Sequence, residues 1–144
     1  MKLPFYKQET RFSCVPACLR MIFSHFGLHV PEEELRRACD STDFGTSALN
    51  ALDAARRYGF AQTGKYTLTI EELAEVAATD KYPIVFVNLW PIDQIRENHA
   101  LIIIAITDAE VSAIDPAQGE RLIPRPLFDA GWAMRDHLAI IIDR

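Results

Sequence analysis

The sequence predicts an α+β fold, with helices gathered in its first half and an antiparallel sheet in its second. From about residue 14 to residue 79, apolar side chains recur at three- and four-residue intervals, which is the period of a helix. After residue 83 the period changes to short apolar runs rich in Val and Ile, bounded by turn residues, as buried strands are. Helices first and strands after make two layers around one core.

The first helix is expected over 14–26, where Val15, Cys18, Leu19, Ile22 and Phe26 share a face. Ser13 is a natural N-cap, Pro16 falls in the first turn where its missing N–H costs nothing, and Gly27 supplies the stop. A second helix, 32–39, follows Pro31 and carries Glu32, Glu33 and Glu34 in its first turn, where they complement the dipole. The third, 46–58, ends at Gly59. The fourth, 70–79, starts at Thr69 with Glu72 in capping-box position, and Leu68 and Leu73 are set as a hydrophobic staple.

Strands are expected in PIVFVNLW (83–90), HALIIIAIT (99–107), VSAID (111–115), ERLIP (120–124) and HLAIIID (137–143), with a short helix at about 126–132. The Asp-Ala-Glu turn at 108–110 makes 99–107 and 111–115 a hairpin. No repeat, low-complexity tract or linker intervenes, so residues 1–144 read as a single domain.

Net charge of −5 and a pI near 5.3, with no lysine or arginine cluster, exclude a nucleic-acid partner. Arg36, Arg37, Arg56 and Arg57 read as solvated helix faces. The longest uncharged apolar run, ALIIIAI, is far shorter than the ~20 residues a membrane helix needs, and MKLPFYKQE has no secretory apolar core. A cytoplasmic protein without a membrane segment is the expectation. Three cysteines cannot all pair, and nothing marks a disulfide framework, so reduced thiols are expected.

Four residues stand out chemically: Gln8, Cys14, His99 and Asp115. Taken alone, Cys14 reads as a small buried hydrophobe, Asp115 as a turn residue before Pro116, and Gln8 as an exposed polar group. Taken together they read differently. Cys14 stands at a helix N-terminus, which favours the thiolate, the reactive form. The hairpin brings Asp115 near His99, where a carboxylate can hold one imidazole nitrogen and fix the tautomer of a general base. Gln8 lies on the extended segment before the helix, from which its amide can reach over the nucleophile.

Cys18 and Cys39 read as packing, and a CxxxC pair without a second pair is a poor zinc site. His25, His29 and His137 have no acidic partner evident in the sequence and are taken as structural or exposed. Trp90 and Trp132 read as packing, and Asn98 stands beside the base where it could help orient it.

The stretch Q-x5-C-x-P-A-C-L-x-M-I, then NHALII, IDPAQG and Phe128-x3-Trp132, resembles the bacteriocin-processing cysteine peptidases, the papain-like enzymes that remove double-glycine leader peptides. GTSALNALDAARRYGF and TIEELAEVA fit the helical half of that family. The resemblance implies a papain-like fold with Cys14 as nucleophile, His99 as base, Asp115 as orienting carboxylate and Gln8 as oxyanion donor. It implies no cofactor, and cleavage after a small residue such as glycine in a peptide or protein substrate. The family usually has an acidic residue before the nucleophile and a glycine after it, whereas here Ser13 and Val15 stand, and Val15 is expected to narrow the cleft. Many members are the N-terminal part of an ATP-driven exporter. No such extension is read here, so a stand-alone domain served by an unlinked transporter or precursor peptide is expected. Two other readings use the same residues: acyl transfer or deamidation, as in transglutaminase-like relatives, and a silent module that binds peptides without cutting them.

Overall fold

The computed structural model describes residues 3–144. In chain order the elements are α1 (Cys14–His25), α2 (Glu32–Ala38), α3 (Ala48–Arg57), β1 (Gly64–Thr67), α4 (Ile70–Ala77), β2 (Ile84–Asn88), α5 (Trp90–Asp93), β3 (Asn98–Ile106), β4 (Glu110–Asp115), β5 (Gly119–Pro124), α6 (Arg125–Ala133) and β6 (Leu138–Ile141). The strands form one six-stranded sheet in the order β1-β6-β2-β3-β4-β5, each pair antiparallel. No helix among the described residues is long and apolar enough to cross a membrane.

Helices cover both faces of the sheet. Ile84, Phe86, Ala100 and Ile102 pack with Leu19, Ile22 and Phe23 of α1, Leu35 of α2 and Ala55 of α3. The alternate residues Val85, Val87, Leu101 and Ile103 pack with Leu73 of α4 and with Phe128 and Trp132 of α6. Burial on both faces explains why β2 and β3 are continuous apolar runs instead of alternating ones. It also puts α4 on the face opposite the other three N-terminal helices.

Local signals account for several boundaries. Gly27 takes φ of +86°, and the Leu28 N–H reaches back to the Phe23 carbonyl at 2.9 Å, ending α1. The Thr69 capping box forms, at 3.1 Å for the Glu72 N–H on Oγ1 and 2.9 Å for the Thr69 N–H on Glu72 Oε1. Ser13 departs from expectation: it makes no side-chain cap. Its hydroxyl instead accepts the Thr10 N–H at 3.0 Å and donates to the Thr10 carbonyl at 3.1 Å, tightening the turn that enters α1.

β2 stops at Asn88, short of the expected residue 90, because Asn88 Oδ1 accepts the Trp90 N–H at 2.9 Å and starts α5. Trp90 is therefore not packed; it is 39% exposed, with the Arg96 guanidinium 4.8 Å from its ring centroid. Trp132 is fully buried and donates its indole N–H to the Leu138 carbonyl at 3.0 Å.

The arginines and acids of α2 and α3 do more than face solvent. Glu32 is fully buried, accepts the Glu9 N–H at 3.0 Å and pairs with Arg36, which also reaches the Glu9 carboxylate at 3.2 Å. Arg57 donates to the Ala38 carbonyl, and Arg56 grips the Thr63 carbonyl at 2.9 and 3.1 Å.

Candidate active site

Cys14 is the first residue of α1 and is partly exposed, set there by the tight turn that Ser13 closes behind it. The β3–β4 register, with Ile102 opposite Ile114, carries Asp115 to the end of the hairpin where β3 begins. His99 stands there, and its Nε2 lies 2.7 Å from Asp115 Oδ1. With Nε2 committed to the carboxylate, Nδ1 is the nitrogen left to meet the Cys14 thiol.

Asp115 is only 1% exposed, so its charge needs partners. The Ala117 N–H donates to Oδ1 at 2.8 Å and Arg121 donates to Oδ2 at 3.2 Å. Arg121 comes from the neighbouring strand β5 and also grips Asp93 of α5, at 2.7 and 3.0 Å. Burial favours the neutral acid, but the hydrogen bond and charge of His99, the Ala117 N–H and Arg121 outweigh it, holding Asp115 below the usual carboxylate range.

The same balance governs His99. Burial favours the neutral ring, yet hydrogen bonds to Asp115 and then to Cys14, with the charges of both, push its pKa from 6.5 up to about 10. The ring is thus poised to carry a proton as the imidazolium on the wall it shares with Cys14.

Gln8 joins the other three on the wall of one cavity of about 700 Å³. Its backbone N–H donates to the Pro116 carbonyl at 2.8 Å, tying the segment before α1 to the turn that follows Asp115. Its amide Nε2 is turned to the carbonyls of Thr10 at 2.9 Å and Arg11 at 3.3 Å, and Oε1 is buried without a protein partner. A second cavity, of about 380 Å³, shares Cys14 and His99 and includes Val15 and Phe86 in its lining. Val15 is 3% exposed and packs into the core behind that lining.

Asn98 is not turned to the base as expected; its Oδ1 accepts from Asn88 at 3.1 Å across the β2–β3 pair. Cys18 and Cys39 are fully buried, and burial pushes both thiols up, Cys39 to about 12. Cys14 is therefore the thiol with access. His25 and His137 do have carboxylates nearby, Asp80 at 3.6 Å and Asp129 at 3.3 Å, both outside the cleft. The sequence reading missed Arg121, Asp93 and Glu32. Their signal is a charge that the fold buries against a charged neighbour, which no local pattern announces.

The model of the Peptidase C39 family matches residues 2–143. A double glycine motif protease from an AMS/PCAT transporter, solved in complex with the leader peptide, is 26% identical, with a TM-score of 0.81 over 99% of this chain and 93% of that one. The peptidase domain of Streptococcus ComA, a bi-functional ABC transporter of a quorum sensing pathway, shares the fold, with a TM-score of 0.82 at 22% identity over 99% of this chain and 100% of that one. An uncharacterized protein of Methanothermobacter marburgensis is 25% identical over 122 residues, 85% of this chain and 78% of that protein.

Proposed function

This chain belongs to the Peptidase C39 family and is a cysteine peptidase, and from that premise we propose that it hydrolyses a peptide bond after a small residue such as glycine in a leader peptide. It works as one papain-like domain in a reducing compartment, the cytoplasm, where its substrate is the precursor peptide of a transport system. The solved relative that holds a leader peptide supports this substrate class.

The Cys14 sulfur attacks the scissile carbonyl carbon, and the carbonyl electron pair moves onto oxygen. The Cys14 backbone N–H and Gln8 Nε2 receive that oxyanion. For Gln8 this means giving up the longer of its two bonds, the 3.3 Å contact to Arg11, in favour of a charged acceptor. The His99 imidazolium then donates its proton to the leaving amine as the C–N bond breaks. In the second half-reaction, neutral His99 takes a proton from water, the hydroxide adds to the thioester, and the acid leaves as Cys14 is regenerated. Asp115 holds the ring through both halves.

The observation that supports this reading is the imidazole of His99, 2.7 Å from a buried carboxylate and lining with Cys14 the wall of one cleft. Mass spectrometry of products from a set of glycine-containing leader peptides tests it, with Cys14→Ala as control. A product ending in glycine, absent from the control, is expected. The same product from Cys14→Ala would overturn the proposal, and a crosslinked or deamidated peptide would redirect it to acyl transfer.

A further inference from the structure

The turn after α2 carries a phenylalanine that folding does not use. Phe44 is 101% exposed, so its ring buries nothing in the protein. Yet the ring is not on a loose loop. Thr42 and Gly45 bridge the turn, each N–H donating to the other's carbonyl at 3.0 Å, and the Phe44 N–H donates to Thr42 Oγ1 at 3.1 Å. Beneath it Ser41 and Thr46 join their hydroxyls at 2.5 Å. Gly45 takes φ of +98°, a conformation that costs an ordinary residue strain, and a Cβ there would meet open space. The turn therefore holds an aromatic ring in water beside a bare stretch of backbone.

Phe44 and Gly45 line both cavities that flank Cys14 and His99. On the larger side the lining also includes Phe12, Ile95 and Leu89, of which Phe12 and Ile95 are 40% and 47% exposed. Apolar surface left in water along a cleft marks what the cleft receives. A ring on a fixed turn can be covered by a ligand with little loss of backbone freedom.

Resting on the peptidase reading, we propose that Phe44 is a substrate-binding residue of the cleft: an extended peptide runs from one cavity to the other past Cys14, its backbone against Gly45 and an apolar side chain against the Phe44 ring. Folding gains nothing from this side chain, so its removal reads out on substrate alone.

The probe is a dye-labelled peptide carrying a Gly-Gly junction flanked by apolar residues, bound to the Cys14→Ala protein and followed by fluorescence anisotropy. Covering a phenyl ring is worth roughly a tenfold to a hundredfold in affinity. Adding Phe44→Ala should weaken binding by that factor and Phe44→Leu by much less. The thermal midpoint and the alkylation rate of Cys14 in the single Phe44→Ala variant should stay unchanged. Equal affinity with and without the ring, or no binding by the parent, overturns the proposal. If the native-Cys14 protein cuts nothing while ring-dependent binding persists, hydrolysis is what fails and the role of Phe44 stands.

Discussion

Replacing Asp115 with Asn keeps the side chain's shape and a hydrogen-bond acceptor for His99 but deletes the charge. Arg121 retains its two bonds to Asp93, so the β4–β5 edge stays tied to α5. In the native protein the His99 pKa stands at about 10 against an ordinary 6.5, despite burial that works the other way. Removing an opposite charge at hydrogen-bonding distance moves such a value by about 1–3 pH units, or ~1.4–4 kcal/mol. Histidine-labelled protein, with only four imidazoles to assign, allows the ring to be titrated directly by NMR. The expected midpoint for His99 is about 10 in the native protein and about 1–3 units lower in Asp115→Asn.

The same perturbation has a signature in stability. A folded-state pKa raised above its unfolded value contributes stability that is complete below about pH 6.5 and disappears as the pH climbs through about 10. Urea midpoints of the native protein should fall across that window, and those of Asp115→Asn should fall less. A native His99 that titrates near 6.5, or midpoints that coincide in the two proteins, would refute the electrostatic account of the pair.

If the Gln8 amide receives the oxyanion as proposed, Gln8→Ala should lower turnover by on the order of 10²–10³ with an unchanged circular dichroism spectrum. Trp132→Ala should cost about 3–5 kcal/mol in urea denaturation, since a fully buried indole and its bond to Leu138 are both lost. Glu32→Gln should cost about 2 kcal/mol by the same measurement, and should also slow turnover, because Glu32 anchors the backbone of Glu9 next to Gln8.

What could be read in the sequence was whatever depends on neighbours along the chain. α1, with Pro16 early and Gly27 after its end, and α4, with its Thr69 box, carry start and stop signals within a few residues of their ends. The nearness of His99 and Asp115 was legible for a similar reason: a short turn joins two strands, and the hairpin does the rest. β1 escaped because an edge strand with one half-buried and three exposed residues has neither an apolar run nor an alternation to show. Ser13 misled because its hydroxyl could cap the helix or close the preceding turn, and only the path of residues 10–13 decides between them. Trp90 misled because an apolar residue continuing an apolar run looks like strand until Asn88 Oδ1 captures its N–H.

The parts of the site that could not be read share a different property: they are charges whose meaning depends on distant partners. Asp93 of α5 and Arg121 of β5 extend the legible His99–Asp115 pair into a ladder in which a buried carboxylate is held on one side by a cation and on the other by the imidazole. A carboxylate alone in that place would be driven towards its neutral form by burial, and a neutral acid would no longer hold the His99 imidazolium. His99 first, then the Ala117 N–H and Arg121, keep Asp115 ionised, and Asp93 compensates Arg121. The Gln8 N–H on the Pro116 carbonyl then fixes the nucleophile's approach segment to the same turn. Charge balance and backbone tether thus converge on residues 115–117, which makes that corner of the sheet, more than the cysteine itself, the place where the two halves of the fold are aligned for chemistry.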